Sequence, residues 1–130
     1  MIVLYRNPDT ASCPAHIEPY IRSPLLTEHK PYIVHSVVVY QGIVFYLIID
    51  DDNSPNWEPA WLFDMSDSKI PMDWTCGVYD DWPNLVLGPE FITVSQDAYR
   101  QLVEREPERL QLLAVRIAQN LDDTTTTSSV

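Results

Sequence analysis

The sequence predicts an α+β fold in which a small antiparallel sheet or SH3-like barrel is packed by one or two C-terminal helices. The run from Tyr32 to Asp50 is rich in Val, Ile, Tyr and Phe, and Gln41-Gly42 divides it with a pair that favours a tight hairpin turn. After Gly88-Pro89 the apolar residues change to helical spacing. With 130 residues, of which 45% are hydrophobic, the chain is expected to form one domain with its own core.

Residues 1–31 are predicted to form a proline-rich arm. A short strand is expected from Ile2 to Tyr5, where four apolar residues follow one another. Beyond this strand, proline recurs too often for an uninterrupted helix, because each proline lacks a backbone donor and clashes with the preceding turn. These prolines are Pro8, Pro14, Pro19, Pro24 and Pro31. The segment is therefore expected to wrap the rest of the domain irregularly.

Residues 32–94 are predicted to be the β region, which begins with a hairpin of two antiparallel strands, from Tyr32 to Tyr40 and from Ile43 to Asp50, on either side of Gln41-Gly42. In its second strand, residues 43–49 are apolar on both faces, so one face has to meet another sheet, a helix or a partner. A loop from Asp51 to Pro59, a third strand from Ala60 to Met65 and a turn at residues 66–69 are expected next. Two further short strands are predicted, at residues 75–79 and 85–87.

Residues 95–121 are predicted to be helical. Ser95 is a good N-cap for a helix that continues to Arg105, and Pro107 fits the first turn of a second helix. The apolar residues of that second helix recur at helical spacing: Leu110, Leu113, Ile117 and Leu121. One kinked helix is the alternative. Residues 1–121 thus form the predicted domain, and the polar, low-complexity residues 122–130 form a predicted disordered tail.

The formal net charge is −11, and most of it lies in one segment. Residues 50–90 hold ten acidic residues and the single base Lys69. Such a charge repels phosphates, which argues against direct binding to nucleic acid or to an anionic membrane and makes a basic protein surface the natural partner. The N-terminal apolar run is too short for the centre of a signal peptide and follows no basic residues, so a cytoplasmic location is expected.

All four tryptophans lie in the same acidic segment: Trp57, Trp61, Trp74 and Trp82. Three of them adjoin a carboxylate, and if they are exposed they would bind Arg or Lys side chains through cation–π contacts and ion pairs together. If the tryptophans instead fill the core, the acids coat solvated loops, and the sequence leaves both interpretations open. The candidate partner-binding residues are Asp51, Asp52, Trp57, Glu58, Asp73, Trp74, Asp80, Asp81 and Trp82.

No catalytic residue, metal site or cofactor is predicted. Counted from Asp50, a calcium-binding loop would need Gly at its sixth position and Glu at its twelfth, where this chain has Pro55 and Trp61. Neighbouring strand residues point to opposite faces, so the three consecutive aspartates are expected to mark a strand end that leads into a solvated loop. Cys13 lies in only half of a zinc motif, and Cys13 and Cys76 are expected to be free, buried thiols.

Residues 30–63 resemble small SH3-like β-barrel modules of bacterial proteins. Such modules show Lys-x-Tyr-x-Val at their start, Tyr-x-Ile-x-Asp-Asp at a strand end and Pro-x-x-Leu-Phe in a later strand. The matching residues here are Lys30, Tyr32 and Val34, then Tyr46, Ile48, Asp50 and Asp51, then Pro59, Leu62 and Phe63. The resemblance implies a barrel-like sheet. Some of these modules look like immunity or accessory proteins, so the resemblance also implies a role of that kind.

These observations predict a non-enzymatic, acidic protein-binding module that engages a basic partner surface, with an immunity or inhibitor protein as its specific form. Two alternatives stay open. A DNA-mimic inhibitor would imitate phosphate spacing with its carboxylates, and a small enzyme or ligand-binding barrel would need a deep pocket with converging polar groups. The sequence does not predict the oligomeric state, although the apolar hairpin leaves a homodimer open.

Overall fold

The computed structural model describes residues 1–22 and 24–128, with side chains described as far as Gln119. Its strands form two antiparallel sheets, which together with the C-terminal helices confirm the predicted α+β class. The small sheet has the order β2-β1-β6, and the large sheet has the order β5-β4-β3-β8-β7. The strands are β1 (Ile2–Tyr5), β2 (Pro31–Ile33), β3 (Ser36–Tyr40), β4 (Ile43–Ile49), β5 (Pro55–Pro59), β6 (Phe63–Asp67), β7 (Thr75–Val78) and β8 (Leu85–Gly88).

The predicted strand at the N-terminus is present as β1, and it is the central strand of the small sheet. It pairs antiparallel with both β2 and β6, and Val3 is completely buried. The described part of residues 6–30 holds two 3₁₀ turns, Thr10–Ser12 and Glu18–Tyr20, in an otherwise irregular chain. The proline-rich arm therefore begins inside the core and then runs over the surface.

The predicted hairpin is confirmed as β3 and β4. Gln41 and Gly42 lie between the two strands with φ values of 50° and 78°, in the left-handed region that glycine adopts without steric cost. Gln41 N donates a hydrogen bond of 2.9 Å to Asn84 Oδ1, which ties the turn to the start of β8. The hairpin is thus fixed by its own turn and by its neighbouring strand.

The prediction of one continuous strand from Tyr32 to Tyr40 is wrong, because the chain changes sheets between β2 and β3. Val34 N donates to Met1 O at 3.0 Å beside the small sheet, whereas His35 N donates to Leu47 O at 2.8 Å in the large sheet. His35 and Ser36 interrupt the apolar run at this point, but both are buried, and so short a polar interruption does not distinguish a crossing from a continuous strand.

The predicted loop Asp51 to Pro59 and the predicted strand Ala60 to Met65 both have the wrong bounds. Pro55–Pro59 pairs with β4 as β5, and the 3₁₀ turn Ala60–Leu62 then carries the chain to β6 in the small sheet. β5 tolerates its two prolines because it is an edge strand, whose outward backbone groups need no partner in the sheet.

Three helices follow the strands: α1 (Glu90–Thr93), α2 (Gln96–Val103) and α3 (Pro107–Ser128). Ser95 caps α2 as predicted, since its Oγ accepts a hydrogen bond of 3.1 Å from Ala98 N. Arg105, with a φ of 59°, lies between α2 and α3, which confirms two helices rather than one kinked helix. The single turn α1 was not predicted, because its Phe-Ile-Thr sequence favours a strand.

The predicted tail, residues 122–130, overlaps the last turns of α3. The side chains from residue 120 onwards and the whole of residues 129 and 130 lie outside the described residues, so the tail stays a prediction.

The large sheet is packed on both faces, as the apolar residues on both faces of β4 predict. On one face Val38 and Leu47 pack against residues of the helices: Ile92, Tyr99, Leu102 and Leu113. On the other face Val37 and Ile48 pack against residues that include Val3 and Phe63 of the small sheet. Among the described residues, the helices lack a stretch that is both long and apolar enough to cross a membrane.

Candidate functional site

A cleft of about 510 Å³ opens at the β5 edge of the large sheet, beside the helices. β4 and β5 contribute to its floor, the arm contributes Tyr20 and Arg22, and residues at the end of α2 and beyond contribute the opposite wall. Six aromatic residues line it: Tyr20, Tyr40, Phe45, Trp57, Trp82 and Tyr99. This volume and composition are typical of sites that receive a ligand or a partner's side chain.

The aromatic rings of the cleft hold one another in place. Tyr20 of the arm packs edge-on against Phe45, with ring centroids 5.2 Å apart. Tyr99 of α2 makes edge contacts with both Trp57 and Trp82, at 5.5 and 6.3 Å. Edge-to-face contacts of this kind favour defined ring orientations. The cleft is therefore shaped before any ligand arrives.

Trp82 is positioned by the loop between β7 and β8. Its backbone N–H donates to Asp81 Oδ1 at 2.9 Å, and its carbonyl oxygen accepts a hydrogen bond of 3.2 Å from Gln96 Nε2. The Arg100 guanidinium lies 5.0 Å from the centroid of the Trp82 ring. One face of this tryptophan is thus occupied by an arginine of the same chain.

Three charged residues line the cleft with the rings: Arg22, Glu58 and Arg105. Arg105 donates to Pro55 O at 2.7 Å and to Asn56 Oδ1 at 3.0 Å, which fixes it on the edge of β5. Burial, reinforced by the nearby Asp50 and opposed by Arg22, raises the pKa of Glu58 to about 7. At neutral pH the cleft therefore contains a carboxyl group that is close to half-protonated.

The aspartates after β4 are used within the fold. Asp50 accepts hydrogen bonds from Asp52 N, Ser54 N and Asn56 Nδ2 and so shapes the turn into β5. The hydrogen bond from Lys30, with further bonds from the Thr27 and Tyr32 hydroxyls, lowers the pKa of Asp51 to about 2. Asp52 is exposed. The strand-end interpretation of this cluster agrees with these contacts.

The nine candidate partner-binding residues do not form one surface. Trp57, Glu58 and Trp82 line the cleft, whereas Asp51 and Asp52 lie in the turn beyond β4. Asp73 accepts a hydrogen bond of 2.7 Å from Arg116, and Trp74 packs against the core between the two sheets. Asp80 and Asp81 are exposed in the loop after β7.

All four tryptophans are half-buried. Trp61 lies under Arg6, whose guanidinium is 5.1 Å from the ring centroid, in the same way that Trp82 lies beside Arg100. Two of the four rings therefore already hold an arginine of their own chain, which the sequence did not predict.

Four aromatic residues of the cleft were not predicted: Tyr20, Tyr40, Phe45 and Tyr99. They come from the arm, two strands and a helix, so spacing along the chain carries no signal that they meet. Cys13 and Cys76 are free, as predicted, but neither is fully buried: Cys13 is half-buried, and Cys76 is exposed on the edge strand β7. In the part of the chain that the structure describes, His, Cys, Asp and Glu form no group that could hold a metal ion.

A scan against protein-family models, a search of curated proteins and a search of solved structures find no match for this chain. The resemblance to SH3-like modules therefore stays a prediction.

Proposed function

We propose that this protein is a non-enzymatic binding module whose aromatic cleft receives a large side chain of a basic partner protein. An immunity or inhibitor protein of the cytoplasm is the specific form of this proposal. The observation that carries it is the cleft of about 510 Å³ lined by six aromatic residues. Tyrosine and tryptophan dominate the residues that contribute most to protein–protein affinity, and a preformed pocket receives an anchoring side chain at low entropic cost.

The charge of the chain supports a basic partner. Residues 50–90 carry a net charge of −9, from ten acids and one base, and five of them line the cleft: Pro55, Asn56, Trp57, Glu58 and Trp82. The carboxylates of this segment speed the encounter with a cationic surface, while the rings provide most of the contact area for an aromatic or aliphatic side chain, since Arg22 and Arg105 line the cleft beside Glu58. Glu58, inside the cleft, gains a full charge when a neighbouring cation stabilises its ionised form.

The DNA-mimic alternative has less support. Asp50, Asp51 and Asp73 hydrogen-bond to donors of their own chain, so their carboxylates are not arranged for a partner. A small enzyme or ligand-binding barrel is the second candidate, and the pKa of Glu58, about 7, is the observation that favours it. A general base is most effective when its pKa lies near the working pH.

The test measures the binding of short lysine-rich peptides, each of which carries one central Trp, Phe, Leu or Ala. Binding is monitored by the tryptophan fluorescence of the protein. We expect the peptides with a large central side chain to bind, and the alanine peptide to bind at least about tenfold more weakly. Trp57→Ala should weaken binding about 30-fold, as expected for a residue that anchors an interface. Tyr20→Ala, on the arm, is a second variant that spares the strands.

Trp74→Ala is the matched control, because Trp74 is an equally half-buried tryptophan outside the cleft lining. Equal losses in Trp57→Ala and Trp74→Ala would contradict the proposal, as would tight binding of the alanine peptide. The second candidate predicts a different pattern: small molecules raise the melting temperature, Trp57→Ala abolishes that effect, and the basic peptides have none.

A further inference from the structure

The two edges of the large sheet are built differently. β5 carries a proline at each end, and Arg105 donates to Pro55 O at 2.7 Å, so this edge is protected against pairing with another strand. β7 contains no proline, and its Cys76 and Val78 side chains are exposed, with Val78 at 72%. Natural sheets usually protect exposed edges, so an unprotected edge beside a protected one suggests a use.

The outward backbone groups of β7 follow from its pairing with β8. Tyr79 N donates to Asn84 O at 2.9 Å, which continues the antiparallel ladder beyond Val78. Since hydrogen-bonded residues alternate along such a ladder, Gly77 and Thr75 pair with β8, and the N–H and C=O groups of Cys76 and Val78 face away from the sheet. Within the described residues, these four groups make no hydrogen bond outside the ladder.

An apolar row runs inward from this edge on the face opposite the helices. The register places Val78 beside Leu85, Leu85 beside Val39, and Val39 beside Val44. The small sheet covers the next row of side chains on this face, which contains Val37. The apolar row itself is covered less completely, since Val44 at its far end is 37% exposed. A strand added to β7 would extend this row with its own aliphatic side chains.

The negative charge around β7 indicates which kind of strand could pair with it. Residues 70–90 contain four acids and neither Lys nor Arg, and Asp80 and Asp81 are exposed directly beyond Val78. A second copy of the chain would bring the same acids and a further net charge of −11 to a four-residue strand. An extended segment rich in Lys or Arg is attracted instead.

We propose that β7 is a docking edge on which an extended, basic segment of a partner protein adds as a sixth strand. Its backbone bonds to Cys76 and Val78, its aliphatic side chains continue the row from Val78, and its Lys or Arg side chains face Asp80 and Asp81. β-Strand addition of this kind obtains affinity from backbone hydrogen bonds and specificity from alternate side chains. The site uses other residues than those lining the cleft and does not depend on the function proposed for the cleft.

The experiment uses a synthetic peptide in which valine alternates with lysine, added to the full chain. We expect hydrogen exchange at the Cys76 and Val78 amides, and the reaction of the Cys76 thiol with a disulfide reagent, to slow at least about tenfold at millimolar peptide. The same peptide with its alternate backbone nitrogens methylated should have no effect, because it cannot donate to the edge. Val78→Lys should weaken the protection at least tenfold, whereas Val94→Lys, at another exposed valine that lies outside β7, should not.

Three results would overturn the proposal. The first is an unchanged exchange rate at Cys76 and Val78 in the presence of the peptide, and the second is equal protection by the methylated peptide. The third is protection that rises with protein concentration alone, which would show that a second copy covers β7. Trp57→Ala and Tyr20→Ala change the cleft, whereas Val78→Lys changes β7, so a failure at β7 and a failure at the cleft are distinguishable.

Discussion

The free energy of unfolding should change little between pH 5 and 7, because the buried His35 and the half-buried Glu58 have opposite effects in that range. Burial, together with the nearby Arg116 and the N-terminal amine, lowers the pKa of His35 to about 4 from its ordinary value of 6.5. Burial and Asp50 raise the pKa of Glu58 to about 7 from 4.5. Neither group alone would leave the stability independent of pH.

His35 stabilises the fold at neutral pH and loses that contribution as the pH falls. It is 6% exposed, and its Nδ1 has no hydrogen-bond partner among the described residues, so the folded state resists its protonation. The unfolded chain takes up the proton near pH 6.5, while the folded chain does so only near pH 4. Between pH 7 and 5 this difference removes about 2 kcal/mol from the free energy of unfolding.

Glu58 has the opposite sign. The unfolded chain releases its proton near pH 4.5 and the folded chain only near pH 7, so the stability from this residue is present at low pH and is lost as the pH rises. Between pH 5 and 7 the loss amounts to about 1.5 kcal/mol, after a reduction for the part of the side chain that solvent reaches. The two contributions therefore cancel to within about 1 kcal/mol.

The contributions of His35 and Glu58 to the stability can be measured separately in single variants. Urea unfolding of each variant is monitored by tryptophan fluorescence at several pH values between 5 and 7. In Glu58→Gln only His35 remains, so the stability should fall by about 2 kcal/mol as the pH is lowered from 7 to 5. In His35→Leu only Glu58 remains, so the stability should fall by about 1.5 kcal/mol as the pH is raised over the same range. Parallel pH profiles for the wild type and both variants would refute the reasoning.

Two further substitutions test contacts that shape the fold around the site. Asp51→Asn should lower the melting temperature at pH 7, because it removes the charged acceptor of Lys30, Thr27 and Tyr32, whereas Asp52→Asn, at the exposed neighbour, should leave it unchanged. Equal melting temperatures for the two variants would show that the Asp51 contacts contribute nothing. Ser95→Ala should lower the free energy of unfolding in urea by about 1 kcal/mol, since Ala98 N loses its acceptor at the start of α2, and an unchanged midpoint would contradict the assigned cap.

The parts of the fold that the sequence predicted are those with a local signal. The hairpin turn depends on Gln41-Gly42, and the start of α2 depends on Ser95, so neighbouring residues are enough to recognise both. β5 was missed because it begins and ends with proline, a residue that usually indicates a loop, although the segment pairs with β4. The crossing at Val34 and His35 was missed because His35 and Ser36, which interrupt the apolar run there, are buried and equally compatible with one continuous strand.

The cleft was only partly predictable for the same reason. Trp57, Glu58 and Trp82 were found from the repeated pairing of tryptophan with a carboxylate, which is a pattern along the chain. Tyr20 and Tyr99 lie far from them in sequence, and they join the site only because the arm and α2 pack against the same face of the large sheet. Sites formed by separate segments depend on the topology, which pattern analysis does not supply.

The contacts of the acids decide where negative charge can act on a partner. Asp51 forms an ion pair with Lys30, and Asp73 forms one with Arg116. Opposite charges this close leave little field beyond a Debye length, so these two carboxylates attract a partner weakly. Asp80 and Asp81 are exposed beyond β7, and the attraction should be strongest there. Because Asp81 also accepts the hydrogen bond of Trp82 N, the loop that follows β7 connects the charged end of the sheet with the aromatic cleft.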